Sequence, residues 1–140
     1  VVEDYAHHPT EVRATLAALR EQYPGRPLHV VFQPHRYERI ARYAADFAAE
    51  LAAADNVVVV PTFAAWVDDA EKGDPRSIVE QIEQTPAAFD DRPYAELAAD
   101  IVRSAPAQAV IAVCGAGTVT KLVPELEAAL EAMAPAAASN

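Results

Sequence analysis

Apolar positions along the chain switch between helical and strand-like spacing. Val12, Leu16, Leu19 and Tyr23 recur at helical intervals, and Pro9 suits a first helical turn. Pro24-Gly25-Arg26-Pro27 is a turn signal that stops this helix, and Leu28 to Phe32 then reads as a buried strand. Ile40, Tyr43, Ala44, Phe47, Ala48 and Leu51 form the stripe of a second helix. Val57-Val58-Val59-Val60 is apolar on both faces, as a central parallel strand must be. A longer loop, Pro61 to Gly73, carries Trp66, Asp68 and Asp69. Asp74 followed by Pro75 offers a helix cap and opens a short helix with Ile78, Val79 and Ile82. The polar stretch Thr85 to Pro93 leaves room for a short edge strand at Ala87 to Phe89. Leu97, Ile101 and Val102 mark another helix, and Ala109 to Cys114 another strand. Gly115-Ala116-Gly117 then turns into a last helix with Val119, Leu122, Val123, Leu126 and Leu130.

With Val1-Val2 as an opening strand, strand and helix alternate throughout. That order predicts right-handed crossovers and a mostly parallel sheet covered on both faces: an α/β, Rossmann-like three-layer domain. Neither a repeat nor a linker divides the chain, so residues 1–134 are expected to form one domain and the Ala-rich residues 135–140 a frayed tail. Val1 already lies in an apparent strand, without an initiator Met, and this predicts a piece of a longer chain.

Composition narrows the function classes. At 140 residues and 52% hydrophobic the chain is long and apolar enough for a real core. It has no apolar run of membrane-spanning length, and its start lacks the basic region of a signal peptide, so no membrane role is expected. The single Cys114 cannot form an internal disulfide, which fits the cytoplasm; its plainer reading is a small buried hydrophobe at a strand end. A net charge of -10 repels phosphate backbones, so nucleic acid is not an expected partner. Arg36, Arg39 and Arg42 nevertheless cluster, and a local positive spot on an acidic protein suits a small anion. Arg42 is read instead as part of a solvated helix start, paired with Glu38 and Asp46.

Candidate chemistry gathers in two loops, Asp4 to Glu11 and Gln33 to Arg39. Each follows a strand, where an open α/β sheet presents its ligand-binding groups. Asp4 reads either as an acceptor for a ribose hydroxyl or metal-bound water, or as a cap for the helix that follows. His7 and His8 point opposite ways on extended backbone, so one faces the crevice while the other packs or caps. Neither has a metal partner at helical spacing, and no zinc site is expected. Arg36 and Arg39 share a face if the helix has begun, and two guanidinium forks suit a carboxylate or phosphate; an exposed pair is the alternative. Gly115-Ala116-Gly117-Thr118 imitates a dinucleotide fingerprint, but Thr120 stands where the third glycine belongs. No nucleophile triad and no Walker A loop occur, so a reaction using ATP needs its phosphate loop elsewhere.

The two loops, Asp4-Tyr5-Ala6-His7-His8-Pro9-Thr10-Glu11 and Gln33-Pro34-His35-Arg36-Tyr37-Glu38-Arg39, together with the Gly115–Gly117 turn, resemble the C-terminal domain of the Mur ligases of peptidoglycan synthesis. The resemblance covers most of the chain. The double-histidine segment is shared with members that recycle a murein tripeptide, whereas the Gln33 to Arg39 segment points to alanine-adding members. It implies a three-domain enzyme in which ATP phosphorylates the lactyl carboxylate of UDP-N-acetylmuramate and the amine of L-alanine attacks the acyl phosphate. Mg2+ is then held mainly by the central domain, outside this chain, and the partners are the N-terminal and central domains of the same parent. By the same resemblance Asp4 and Tyr5 contact ATP, Tyr5 and His7 line the reaction crevice, and Arg36 and Arg39 hold the alanine carboxylate or stabilise the transferring phosphoryl group. His35 supports them, and the catalytic set is His7, Arg36 and Arg39. The chain departs from the family at Pro61 to Trp66 and at Thr118 to Lys121, which leaves the acceptor open. The rival readings are a tripeptide-recycling ligase, a nucleotide-binding module without turnover, and a dinucleotide-dependent oxidoreductase.

Overall fold

The computed structural model describes residues 1–63 and 73–134. Trp66, Asp68 and Asp69 of the expected loop, and the expected frayed tail, lie outside them. In chain order the elements are β1 (Val2–Asp4), α1 (Pro9–Gln22), β2 (Leu28–Phe32), α2 (Tyr37–Leu51), β3 (Asn56–Val59), α3 (Arg76–Glu80), β4 (Ala87–Phe89), α4 (Tyr94–Ser104), β5 (Val110–Cys114) and α5 (Leu122–Met133). The five strands form one wholly parallel sheet in the order β1-β5-β2-β3-β4.

Period-two alternation divides the core. Leu28, Val30 and Phe32 of β2, Val57 and Val59 of β3, and Val110, Ala112 and Cys114 of β5 face one side, where they meet Val12 and Leu16 of α1, Phe47 of α2 and Ile78 of α3. Val31, Ile111 and Val113 face the other side, against Leu97 and Ile101 of α4 and Leu122 and Leu126 of α5. Three helices therefore cover one face and two the other, giving the expected three layers.

Local signals acted as expected at most boundaries. Pro9 opens α1, and Gly25, at a φ of +76°, turns the chain after it. The third strand runs one residue earlier than its valine run, because Asn56 pairs with His29 while Val60 only donates its N–H to the Phe32 carbonyl at 3.0 Å. Asp74 does not cap α3 directly: its Oδ1 accepts from the Arg76 N–H at 2.9 Å in a local turn, and Pro75 occupies the cap position. Ile82 is buried but lies beyond that helix. The last helix begins only after a 3-10 turn, Thr118–Lys121, so Val119 lies in that turn rather than in the helix.

The chain runs outward from β1 to β2, β3 and β4 and then returns to place β5 between β1 and β2. The connection after β5 thus leaves for the opposite face from those after β1 and β2. Such a reversal opens a crevice at the carboxyl ends of the strands, and both polar loops end there.

Candidate functional site

Asp4 is the last residue of β1, in register with Cys114. Its Oδ1 accepts the Ala6 N–H at 2.8 Å, so the carboxylate shapes the turn leaving the strand and does not cap α1. The cap position of α1 is His8, which makes no side-chain capping bond. Cys114 is fully buried, and burial, with Asp4 adding to it, pushes its thiol up to about 12, so it remains a neutral packing group.

The turn after Asp4 separates the two histidines. His8 packs on Tyr43 of α2, with ring centroids 5.2 Å apart. His7 turns the other way, 5.7 Å from the His35 ring, with the exposed Tyr5 ring edge-on to it at 5.3 Å. His7 Nδ1 lies 2.9 Å from the Tyr5 carbonyl, which can only accept; Nδ1 therefore carries the hydrogen, and Nε2 is the ring's acceptor in the neutral form. Glu11, in the first turn of α1, places Oε1 3.5 Å from the same Nδ1.

The second loop is pinned by a parallel bridge between His35 and Phe63. The Phe63 N–H donates to the Pro34 carbonyl and the Arg36 N–H to the Phe63 carbonyl, both at 2.8 Å. The His35 and Phe63 rings lie 5.3 Å apart. His35 has its pKa lowered, first by burial and then by the charges of Arg39, His7 and Arg36, so the neutral ring is favoured. Both guanidinium groups thus bear on one imidazole.

They do not share a helical face, however. Arg36 is the cap residue of α2 with a φ of +69°, and the helix starts at Tyr37. That backbone region costs a side-chain-bearing residue on the order of 1–3 kcal/mol and persists only where neighbours hold it. Arg36 is exposed and Arg39 half-buried. Arg39 Nη1 and His35 Nδ1 are buried with no hydrogen-bond partner among the described residues. Unsatisfied buried polar atoms of this kind are uncommon and mark a place where a further partner fits. Arg42 is exposed, with its guanidinium 5.4 Å from the Tyr43 ring centroid; ion pairs to Glu38 or Asp46 are absent among the described residues.

The glycine turn contributes shape. A Cβ at Gly117 would stand 2.5 Å from Phe63 Cγ and 2.8 Å from Gln33 Oε1, so glycine is required for these groups to approach. Sequence reasoning did not assign Gln33, Phe63, Tyr94 or Thr118 to the site; they border an open cleft of about 370 Å³ at the start of the second loop. Burial raises the Tyr94 pKa, and hydrogen bonding to Thr118 partly opposes it. The available signal was Gln33, an uncharged polar residue directly after a strand that is apolar except at His29. Among the described residues no group of three or more His, Cys, Asp or Glu could hold a metal ion. No helix is long and apolar enough to cross a membrane among them.

This edge combines two imidazoles, that of His35 favoured in its neutral form, with two arginines and buried nitrogens that have no partner among the described residues, at a strand-order reversal. It can hold an anion and accept a proton at His7 Nε2. A family model described as Mur ligase, glutamate ligase domain, matches residues 1–117. The UDP-N-acetylmuramate–L-alanine ligase of Frankia alni is 42% identical over 142 residues, covering 94% of this chain and 24% of that protein. Its namesake from Acidithiobacillus ferrooxidans is 39% identical over 123 residues, covering 87% of this chain and 26% of that one. The chain spans about a quarter of the length of the curated relatives it matches. Among solved structures, the UDP-N-acetylmuramate-alanine ligase of Thermotoga maritima superposes with a TM-score of 0.71 at 27% identity, over 92% of this chain and 26% of that one. A domain named for a UDP-N-acetylmuramate:L-alanyl-gamma-D-glutamyl-diaminopimelate ligase of Haemophilus ducreyi gives 0.66 at 26% identity, over 91% of this chain and 88% of that one.

Proposed function

The chain belongs to the Mur ligase family as its glutamate ligase, or C-terminal, domain, and we propose that it serves a longer ATP-dependent enzyme that adds L-alanine to UDP-N-acetylmuramate. The observation that carries this reading is the convergence of His7, His35, Arg36 and Arg39 on one edge, with buried nitrogens on His35 and Arg39 left without partners among the described residues. That donor set fits an oxyanion: a carboxylate of the incoming amino acid or the phosphoryl group in transfer.

In this account ATP supplies the phosphoryl group that turns the lactyl carboxylate of the sugar nucleotide into an acyl phosphate. The amine nitrogen then bonds to the acyl carbon, the bond to the phosphate oxygen breaks, and inorganic phosphate leaves. The nitrogen must lose its extra protons, and His7 Nε2 is placed to take one, because Nδ1 is already committed to the Tyr5 carbonyl. Arg36 and Arg39 hold the carboxylate or the departing charge, and neutral His35 supports them. Catalysis of this kind rests on positioning and charge stabilisation. Tyr5 and Asp4 lie on the nucleotide side, where Asp4 acts through the turn it shapes. Mg2+ and the phosphate loop belong to the central domain of the parent, and a cytoplasmic setting is part of the same proposal.

A second reading is a ligase that transfers a whole murein tripeptide. It is favoured by the likeness to the Haemophilus ducreyi domain, nearly as strong as that to the alanine ligase. ADP release by the full parent with UDP-N-acetylmuramate separates the two. Release that depends on L-alanine is expected; release that depends on the tripeptide moves the assignment to the recycling enzyme, and silence with both removes the ligase reading. The chain by itself is expected to release no ADP.

A further inference from the structure

One buried amide ties the loops of this edge together from beneath. Gln33 is 3% exposed and is the one fully buried polar side chain among the described residues. Its Oε1 accepts the Val119 N–H at 2.9 Å, while Nε2 donates to the Pro61 carbonyl at 3.1 Å and to Thr118 Oγ1 at 2.9 Å. The ends of β2 and β3 and the turn after β5 therefore meet on a single side chain. Two residues past Pro61 stands Phe63, whose carbonyl receives the Arg36 N–H and whose ring lies against both His35 and Gly117. Arg36 sits at a φ of +69°, a conformation that needs such a restraint.

We infer that Gln33 is a positioning residue: acting through Pro61 and Phe63, it holds Arg36 and His35 in the arrangement that the anion-binding edge requires. The inference rests on the reading proposed above. By the same account the glycine turn makes room for Gln33 and Phe63.

Gln33→Glu tests the tie with little change of shape. A carboxylate at position 33 still accepts from Val119 N–H but cannot donate to the Pro61 carbonyl; protonated, it can. Tyr94 and Cys114 stay neutral between pH 5 and 8, their pKa values being raised. Each variant is compared with the wild type at the same pH, so protonation changes common to both cancel. The measurement is amide hydrogen exchange at Arg36 and the ring-proton shift of His35 by NMR on this chain. Thr85→Ala serves as control, because Thr85 bonds the Ala52 and Ala54 carbonyls at the far end of the sheet.

At pH 8 Gln33→Glu is expected to speed Arg36 exchange about tenfold beyond the control and to move the His35 signal, with both returning toward wild type at pH 5. Unchanged exchange at Arg36, or equal acceleration in Thr85→Ala, overturns the inference. Should Gln33→Glu not fold, Thr118→Val removes one acceptor of the same amide and is expected to accelerate Arg36 about threefold; no acceleration there overturns the inference equally. In the parent, Gln33→Glu is expected to lower kcat at pH 8 by on the order of 100-fold, with KM for ATP little changed. A parent without amino-acid-dependent ADP release sinks the ligase reading while leaving the NMR result standing, so the two failures are distinguishable.

Discussion

At the amino-terminal edge of the sheet, Arg20 donates to Asp55 Oδ2 at 3.0 Å and to the Ala53 carbonyl at 2.8 Å, and the same Asp55 oxygen accepts the Leu28 N–H at 2.7 Å. Arg26 joins that edge to the loop before β5 through the Gln108 carbonyl at 2.6 Å. At the carboxyl edge, Arg39 and His35 each bury a nitrogen with no partner among the described residues, and Arg36 holds a strained backbone. Both edges carry arginines above parallel strand ends, yet one closes its hydrogen bonds and the other leaves some open. A closed network stabilises; an open one, kept within a well-packed fold, is poised for a ligand. The strand-order reversal adds to the contrast, since it opens the crevice only at the carboxyl edge.

The contrast breaks most sharply under arginine removal. Arg36→Ala or Arg39→Ala in the parent enzyme is expected to lower ADP release about 100- to 1,000-fold while leaving the melting temperature nearly unchanged. Arg42→Ala, which removes only an exposed guanidinium beside Tyr43, is expected to leave turnover close to wild type. Equal effects at positions 36 and 42 would erase the distinction between the clustered arginines.

The opposite edge should answer with stability. Asp55→Ala strands the Leu28 N–H and the Arg20 guanidinium and is expected to cost about 1–2 kcal/mol in urea unfolding, with turnover per folded molecule preserved. A loss of turnover without loss of stability would show that this edge has been misread.

The smallest effects are in pH dependence, and they have opposite acid and neutral windows. The Leu28 N–H and Arg20 hold the Asp55 carboxyl below its ordinary value, so its contribution is present above the unfolded value near ~3.9 and is lost as pH falls through the lower folded value. Asp55→Asn should flatten the loss of stability below about pH 4. Burial and neighbouring cations lower His35, so the unfolded chain binds its proton more readily. Stability should therefore rise with pH through the window below ~6.5, and His35→Gln should remove that rise. A steeper profile in either variant contradicts the assigned shift.

Much of this molecule was legible from spacing alone. The bounds of β2 and the edge strand β4 coincide with their apolar runs, and Pro9 and Gly25 act where their backbone preferences place them. Both polar loops were recognisable because each follows a strand. The roles inside them were less legible. Arg36 lies three residues before Arg39 as a helical pair would, but its positive φ keeps it out of the helix, and its N–H bonds to the carbonyl of Phe63, distant in sequence. Of the two readings of Asp4 the structure sets aside the helix cap, because its Oδ1 accepts instead from Ala6 two residues on.

The alternation of β-branched runs with helical stripes determined the parallel three-layer architecture, because a chain can bury such strands on both faces only by crossing over with helices. Local chemistry likewise determined where the polar loops fall. The tertiary structure alone decided which of His7 and His8 faces the crevice, that β5 returns between β1 and β2, and that Gln33 lies beneath the edge with three partners. Those outcomes depend on contacts between residues some 28 to 110 positions apart, and no local period or motif encodes the distance between them.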